Sequence, residues 1–238
     1  MNIPRNSRRP TARGPMPAGL AALAAVGTVA AGALGYAVLG GAGRGQEPPA
    51  LQLLVLVDKS GSESKTTRHR RFGALDDVIE TTLPVQNRVT IWSYGPTIQK
   101  EWGPGRVVKS RDLWPVEDDI SAGAVSQPGT HLGAALQAAA QAARQAAENG
   151  EPVACLVLGS GEETDHAVAA EAARELAALP NVRAVWFAGA KSEAGLRTSV
   201  EKTLSPIGSR LVVSGPFDAR SGLESFRRLV KGQGDAGT

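Results

Sequence analysis

The sequence predicts an α/β protein of Rossmann-like, three-layer α/β/α architecture, with a mostly parallel central sheet and one antiparallel edge strand. After residue 50, apolar runs of strand length alternate with segments of helical spacing, which indicates parallel strands joined by helices. The first apolar run, LQLLVLVD, is continuous, as expected for a strand covered on both faces. Aromatic residues make up 4% of a chain that is 42% hydrophobic, so the core must be built mainly from aliphatic side chains.

The first half of this alternation is predicted as strand, helix, strand, strand. A helix follows the first strand and ends before Pro84; its apolar positions are Phe72, Leu75, Val78, Ile79 and Leu83. The runs NRVTIWSYG and TIQKEWG form two strands around the turn YGPT, and the second is the predicted antiparallel edge strand. Residues 104–129 are irregular, with a short helix and a surface loop.

The second half repeats helix and strand three times and closes with a fourth helix. The helices are predicted at HLGAALQAAAQAARQAAENG, HAVAAEAARELAAL, AGLRTSVEKTLS and SGLESFRRLVKG, and the strands at PVACLVLG, VRAVWFAGA and SRLVVSG. The single cysteine, Cys155, lies in one of these strands, which excludes an internal disulfide and a cysteine-based zinc site. We expect it to be a buried, inert thiol.

An uncharged segment, residues 14–43, precedes the alternating region and is long enough to cross a bilayer as a helix of about 20 residues. Four arginines precede it and one follows, so the positive-inside bias places the N-terminus in the cytoplasm. A cleaved signal peptide and a buried or disordered tail are the alternatives. The predicted organisation is a basic cytoplasmic segment (1–15), a transmembrane signal anchor (16–42), a linker (43–50), the folded domain (51–231) and a disordered tail (232–238).

The charge is unevenly distributed along the chain. The first 44 residues hold five arginines and no acid, so the remainder, with 21 basic and 23 acidic residues, is nearly neutral. This balance speaks against a nucleic-acid partner, which would require a basic patch on the domain itself.

The end of the first predicted strand carries the pattern Asp-x-Ser-x-Ser, at Asp58, Ser60 and Ser62. Ligands of open α/β sheets bind at the carboxyl ends of the strands, so these side chains lie where chemistry is expected. Carboxylate and hydroxyl oxygens suit Mg²⁺, Mn²⁺ or Ca²⁺, but further ligands must come from other loops. The alternative is that the hydroxyls only cap a helix or turn.

From about residue 51 to 230 the chain resembles the von Willebrand factor type A domain family, which opens with this strand and motif. The family adds a threonine from a later loop, matched by Thr130 in QPGTHLGAAL. Its third loop usually reads Thr-Asp-Gly and is matched by residues 159–161, Gly-Ser-Gly, in which Ser160 replaces the aspartate.

The resemblance implies a metal-ion-dependent adhesion site, with Asp58, Ser60, Ser62 and Thr130 as ligands and Ser160 as a weak one. It also implies that the ion is Mg²⁺, Mn²⁺ or Ca²⁺, and that its open position accepts a carboxylate from a partner protein. The expected function is therefore adhesion or assembly by a membrane-anchored, extracytoplasmic domain, and not catalysis. The missing carboxylate at residue 160 weakens the site unless Glu162, Glu163 or Asp165 replaces it.

Two other functions stay open. A degenerate site would leave a metal-independent interaction domain. The segment DKSGS also resembles the aspartyl-phosphate motif of haloacid-dehalogenase-type enzymes, with Asp58 as nucleophile, but those enzymes need a later acidic pair after a strand.

The basic run KTTRHRR, residues 65–71, follows the predicted site. It is interpreted as a solvated helix start, with a rim that attracts an acidic partner as the alternative. His131, beside Thr130, is a further but weaker candidate ligand.

Overall fold

A computed structural model of the chain describes only part of the sequence, and all of that part belongs to the compact unit Gln46–Thr238. The predicted cytoplasmic segment, transmembrane helix and most of the linker and tail lie outside the described residues. Within the described residues, no helix combines the length and apolarity needed to cross a bilayer. The described ranges are 49–60, 64–123, 129–162, 164–191, 195–216 and 218–232.

Strands and helices alternate along the described chain as the sequence predicts. The strands are β1 (Leu51–Asp58), β2 (Asn87–Tyr94), β3 (Ile98–Gly105), β4 (Val153–Leu158), β5 (Val182–Ala188) and β6 (Leu211–Ser214). The helices are α1 (Lys65–Thr81), α2 (Trp114–Ala122), α3 (Leu132–Glu148), α4 (His166–Ala178), α5 (Leu196–Leu204) and α6 (Ala219–Val230), with 3-10 turns at Ser110–Leu113 and Ser205–Arg210.

The six strands form one sheet in the order β3-β2-β1-β4-β5-β6. All neighbours are parallel except β2 and β3, so the predicted antiparallel edge strand is confirmed. The chain leaves β1 toward β2 on one side and later returns to β4 on the other side. The carboxyl ends of β1 and β4 therefore meet at the point where the strand order reverses, which is the usual ligand position in such sheets.

Helices cover both faces of the sheet, which confirms the three-layer architecture. Side chains of α3, α4 and α5 pack on one face with alternate residues of β1, and side chains of α1, α2 and α6 pack on the other. The core is largely aliphatic, and α3 buries a row of alanines that lets its backbone approach the sheet closely. Cys155 is fully buried, and burial raises the pKa of its thiol to about 12, as expected for an inert residue.

Helix α1 starts earlier than its apolar spacing indicates. Its N-cap is Ser64, whose hydroxyl accepts a hydrogen bond from the backbone N–H of Thr67 at 3.1 Å. The basic run at residues 65–71 therefore belongs to the first two turns of the helix. Because Ser64 caps α1, the alternative in which Ser60 or Ser62 performs this role is wrong.

Glu117 in α2 is 2% exposed, and its pKa is raised from 4.5 to about 8, mainly by burial and further by the charges of Asp76 and Asp118. Between these two pH values the folded state keeps a proton that the unfolded state has lost, so stability must fall as the pH rises from about 5 to 8. We expect Glu117→Gln to remove a large part of this fall. At pH 8.5 the free energy of unfolding of Glu117→Gln should exceed that of the wild type by about 1–2 kcal/mol, after allowance for solvent screening.

Urea unfolding of both proteins at pH 5.5 and pH 8.5 measures this difference. The same pH dependence in wild type and variant would show that Glu117 titrates normally.

Candidate functional site

The carboxyl ends of β1 and β4 bring Asp58 and Ser160 into contact. Asp58 is 2% exposed and ends β1, and one of its carboxylate oxygens accepts a hydrogen bond from the backbone N–H of Ser60 at 2.8 Å. Its other oxygen accepts a bond from the Ser160 hydroxyl at 3.5 Å. The first and third loops of the predicted site are thus linked through the Asp58 carboxylate.

The loop of Thr130 packs against the first loop through Gly95. The backbone N–H of His131 donates to the carbonyl of Gly95 at 3.1 Å. A Cβ on Gly95 would lie 3.7 Å from the nitrogen of Ser60 and 3.9 Å from the carbonyl oxygen of Gly129. Gly95 at the end of β2 therefore lies within van der Waals range of both the first and the second loop, and a Cβ there would meet only ordinary contacts.

The loop of Thr130 is also tied to the third loop. The carbonyl of Thr130 accepts bonds from the backbone N–H of Thr164 at 3.0 Å and from its hydroxyl at 3.2 Å. Thr130 itself is buried, with 6% of its surface exposed. The three loops thus form a closed ring around the switch point, while Ser62 lies outside the described residues.

Arg68 is a site residue that the sequence reasoning missed. The predicted solvation of the basic run holds for Lys65, His69 and Arg70, which are exposed, but it is wrong for Arg68, which is 4% exposed. Its guanidinium donates to the carbonyl of Ser60 at 3.3 Å and to that of Ser121 at 3.3 Å. The spacing contained the signal, because Arg68 stands four residues before the core residue Phe72 and so lies on the buried face of α1.

The carboxylates that were expected to replace the missing aspartate have other roles. Glu162 forms an ion pair with Lys191 at 2.6 Å, and Asp165 accepts a bond from the backbone N–H of Ala134 in the first turn of α3 at 3.3 Å. Glu163 lies outside the described residues. Glu162 is therefore committed to an ion pair, whereas Asp165 keeps one buried carboxylate oxygen, Oδ1, without a hydrogen-bond partner among the described residues.

The glycine at residue 159 follows from the position of Tyr94. A Cβ on Gly159 would lie 2.5 Å from the Tyr94 hydroxyl oxygen and 3.1 Å from the Phe187 ring. The tyrosine ring thus fills the space that the threonine of a Thr-Asp-Gly loop would need. The departure at residue 159 is therefore accommodated by the buried side chain of Tyr94, at the end of β2 and two strands away from β4 in the sheet.

The residues around the switch point suit a hard divalent cation in donor type, since the Asp58 carboxylate and the Ser160 hydroxyl meet there. The described residues supply little negative charge at this point. Asp58 is the carboxylate that contacts Ser60 and Ser160, and the Arg68 guanidinium places a positive charge on the same loop. No group of three His, Cys, Asp or Glu side chains among the described residues is arranged to hold a metal ion. Among the described residues, a cation at this point would therefore depend on hydroxyl ligands, with Asp58 as the acid that contacts both loops.

This fold and this ring of loops define an α/β domain whose candidate ligand-binding site lies at the carboxyl ends of its central strands. Solved structures of von Willebrand factor type A domains share the architecture. One, from Catenulispora acidiphila, has 14% identity, a TM-score of 0.55, and a match covering 76% of this chain and 43% of that chain. The chain thus has the von Willebrand factor type A fold.

Two further structures are similar at the level of fold. Proximal thread matrix protein 1 from the mussel byssus has 13% identity and a TM-score of 0.56, with 76% of this chain and 48% of that chain covered. Another structure of that mussel protein has zinc in its metal-ion-dependent adhesion motif. The manganese-loaded TRAP protein of Plasmodium vivax has 14% identity and a TM-score of 0.55, with 75% of this chain and 73% of that chain covered.

The chain thus spans about half the length of the mussel protein. No protein-family model and no curated protein sequence matches it.

Proposed function

We propose that the domain is a protein-binding module for adhesion or assembly, which holds its partner through a divalent cation at the carboxyl edge of the sheet. The ligands are Asp58, Ser60, Ser62 and Thr130. The observation that carries the proposal is the ring of three loops, in which Ser160 contacts Asp58 and Thr164 binds the carbonyl of Thr130.

Each residue has a distinct part in this proposal. The Ser60, Ser62 and Thr130 hydroxyls contact the cation, and Asp58 supplies negative charge while it orients the backbone of Ser60. The cation, preferably Mg²⁺ with Mn²⁺ or Ca²⁺ as substitutes, supplies an open coordination position for a carboxylate of the partner. The manganese in the Plasmodium vivax structure and the zinc in the mussel structure support a divalent ion in this fold.

The double variant Ser60→Ala, Ser62→Ala tests the proposal. We expect Mg²⁺ to raise the melting temperature of the full-length wild type, by a few degrees at about 100 times the dissociation constant. The double variant should lose this shift, because two of the three hydroxyl ligands are gone. Differential scanning fluorimetry over a Mg²⁺ titration, with and without EDTA, measures the effect.

The matched control is Ser64→Ala, which removes a nearby hydroxyl that caps α1 without a place in the ring of loops. This control should keep the Mg²⁺ shift while it lowers the melting temperature at all Mg²⁺ concentrations. A shift of unchanged size in the double variant would refute the metal site. Capture of partners from extracts by the full-length chain, with and without EDTA, then reports whether binding depends on the cation.

A metal-independent interaction domain is the second candidate function. Ser160 in place of an aspartate favours it, and so does the buried guanidinium of Arg68, because both make the site less attractive to a cation. In that case the partner would remain bound in EDTA.

The phosphotransferase alternative receives little support from the described residues. Both oxygens of Asp58 accept hydrogen bonds, whereas a nucleophile must be open to its substrate. Glu117 and Asp118 lie within α2 and not in a loop after a strand, where the required acidic pair would stand.

The proposal includes attachment of the domain to the outer side of a membrane through residues 16–42. It rests on the uncharged segment and its flanking arginines. Extraction of membranes with sodium carbonate tests it, because an anchored chain stays with the lipid and a peripheral chain is released.

A further inference from the structure

A cavity of about 290 Å³ lies between α1 and α2, and the proposed adhesion function does not use it. Its lining combines acidic and aromatic side chains, with a histidine from α1. The lining residues are His69, Phe72, Asp76, Trp114, Glu117 and Asp118.

Glu117 gives this cavity an unsatisfied acceptor. The residue is 2% exposed, and its buried Oε1 atom has no hydrogen-bond partner among the described residues. A buried Oδ1 atom of Asp76, on the facing helix, also lacks a partner within those residues. Buried polar atoms are nearly always paired, so two carboxylates that line one cavity and each keep an unpaired oxygen indicate that a donor enters from outside.

Trp114 adds an aromatic surface to the same cavity. It is 56% exposed, whereas tryptophan is highly buried on average. It lines the cavity together with the buried Glu117. An exposed indole next to unpaired carboxylate oxygens offers a stacking face and acceptors to one ligand. A planar cation with several N–H donors is the group that uses both.

We propose that this cavity binds the guanidinium group of an arginine side chain presented by a partner protein. A guanidinium stacks on an aromatic ring and donates in a fixed fork to carboxylates, whereas a lysine ammonium is a more strongly hydrated point charge. A metal ion is a poorer occupant, because no group of three His, Cys, Asp or Glu side chains in the described ranges is arranged to hold one. The site is separate from the divalent-cation proposal and does not depend on it.

The charges around the cavity agree with a cationic occupant. Asp76 faces Glu117 from α1, Asp118 adjoins it on α2, and His69 is the basic group among the lining residues. Burial, and then repulsion from Asp76 and Asp118, raise the pKa of Glu117 to about 8, and the positive charge of an incoming guanidinium would offset both effects. Binding must therefore release a proton near pH 7 and become tighter as the pH approaches 8.5.

The test uses the full-length chain and two peptides, acetyl-Ala-Arg-Ala-amide and the same peptide with citrulline, which has nearly the same shape without the charge. We expect the arginine peptide to bind at least about 10-fold more tightly, the range of a charge-assisted hydrogen bond with a stacked cation. Titration calorimetry measures the affinities, and the fluorescence of Trp114 should change only with the arginine peptide. EDTA should change neither result, which separates this site from the metal site.

Three variants locate the binding. Glu117→Gln should lower the affinity for the arginine peptide about 10-fold, and Trp114→Ala about 3- to 10-fold. Glu117→Gln should keep the fold, because the native carboxyl is largely protonated at pH 7 and glutamine has nearly its shape. Asp119→Asn replaces a carboxyl group by an amide in the same way at an exposed position of α2 outside the cavity, and should leave the affinity within about 2-fold.

Two results would overturn the proposal. One is equal affinity for the arginine and citrulline peptides, including no binding of either. The other is a similar loss in Glu117→Gln and Asp119→Asn, which would show that the peptide responds to the general charge of α2. Circular dichroism of each variant excludes misfolding as the cause of a loss.

Discussion

Replacement of Ser160 by aspartate is expected to raise the affinity for Mg²⁺ at least about 10-fold, or ~1.4 kcal/mol. Ser160 is fully buried, and its hydroxyl lies 3.5 Å from a carboxylate oxygen of Asp58. An aspartate there places a second negative charge beside the first, which is the arrangement that a divalent cation neutralises. The variant also restores the aspartate of the Thr-Asp-Gly loop without disturbing Tyr94, which packs against Gly159.

The same replacement should destabilise the metal-free protein. Two unit charges about 4 Å apart repel with up to ~4 kcal/mol at an effective dielectric constant of about 20. Partial protonation and rotation of the new side chain reduce this cost, and we expect a loss of about 2 kcal/mol in EDTA. Mg²⁺ should recover the loss, so the melting temperature of the variant becomes much more sensitive to Mg²⁺ than that of the wild type.

Ser160→Asn is the matched control, because asparagine has nearly the size of aspartate without its charge. It should show neither the loss in EDTA nor the gain in Mg²⁺ affinity. Thermal melts over a Mg²⁺ titration and calorimetric titration compare the three proteins. If the aspartate and asparagine variants responded alike to Mg²⁺, the carboxyl edge of β1 and β4 would not be a cation site.

The architecture was readable from the sequence because it depends on periodicity. The continuous apolar run of β1 required cover on both faces, and helical spacing between such runs required parallel strands. The turn at residues 94–97 is too short for a crossover, so the strand after it had to be antiparallel to β2. Each of these features is local in the sequence, and the sheet order is consistent with all of them.

The candidate site was only partly readable because its remaining features are contacts between distant segments. The space at Gly159 is taken by Tyr94, and the carboxylate of Glu162 is taken by Lys191. No spacing in the chain encodes either pairing. The burial of Arg68 could have been predicted, since Arg68 continues the apolar face of α1. It was interpreted as solvated because arginine is rarely fully buried.

Arg68→Met is expected to lower the free energy of unfolding by about 3 kcal/mol. The guanidinium binds the carbonyls of Ser60 and Ser121, and both bonds are buried. Methionine can fill the apolar part of the space but donates to neither carbonyl, and each buried acceptor left unpaired costs about 1–3 kcal/mol. The loss exceeds that of a typical surface substitution because Arg68 joins α1, the end of α2 and the loop after β1 through one side chain.

Arg70→Met is the matched control, since Arg70 lies two residues further along α1, is exposed, and carries the same charge. It should change stability by less than about 0.5 kcal/mol, as expected for a surface position. Arg68→Lys should fall between the two, because an ammonium keeps the charge but lacks the planar fork that spans two carbonyls. Urea unfolding of the four proteins gives the ranking, and equal stability of Arg68→Met and Arg70→Met would mean that the three segments are held together without this arginine.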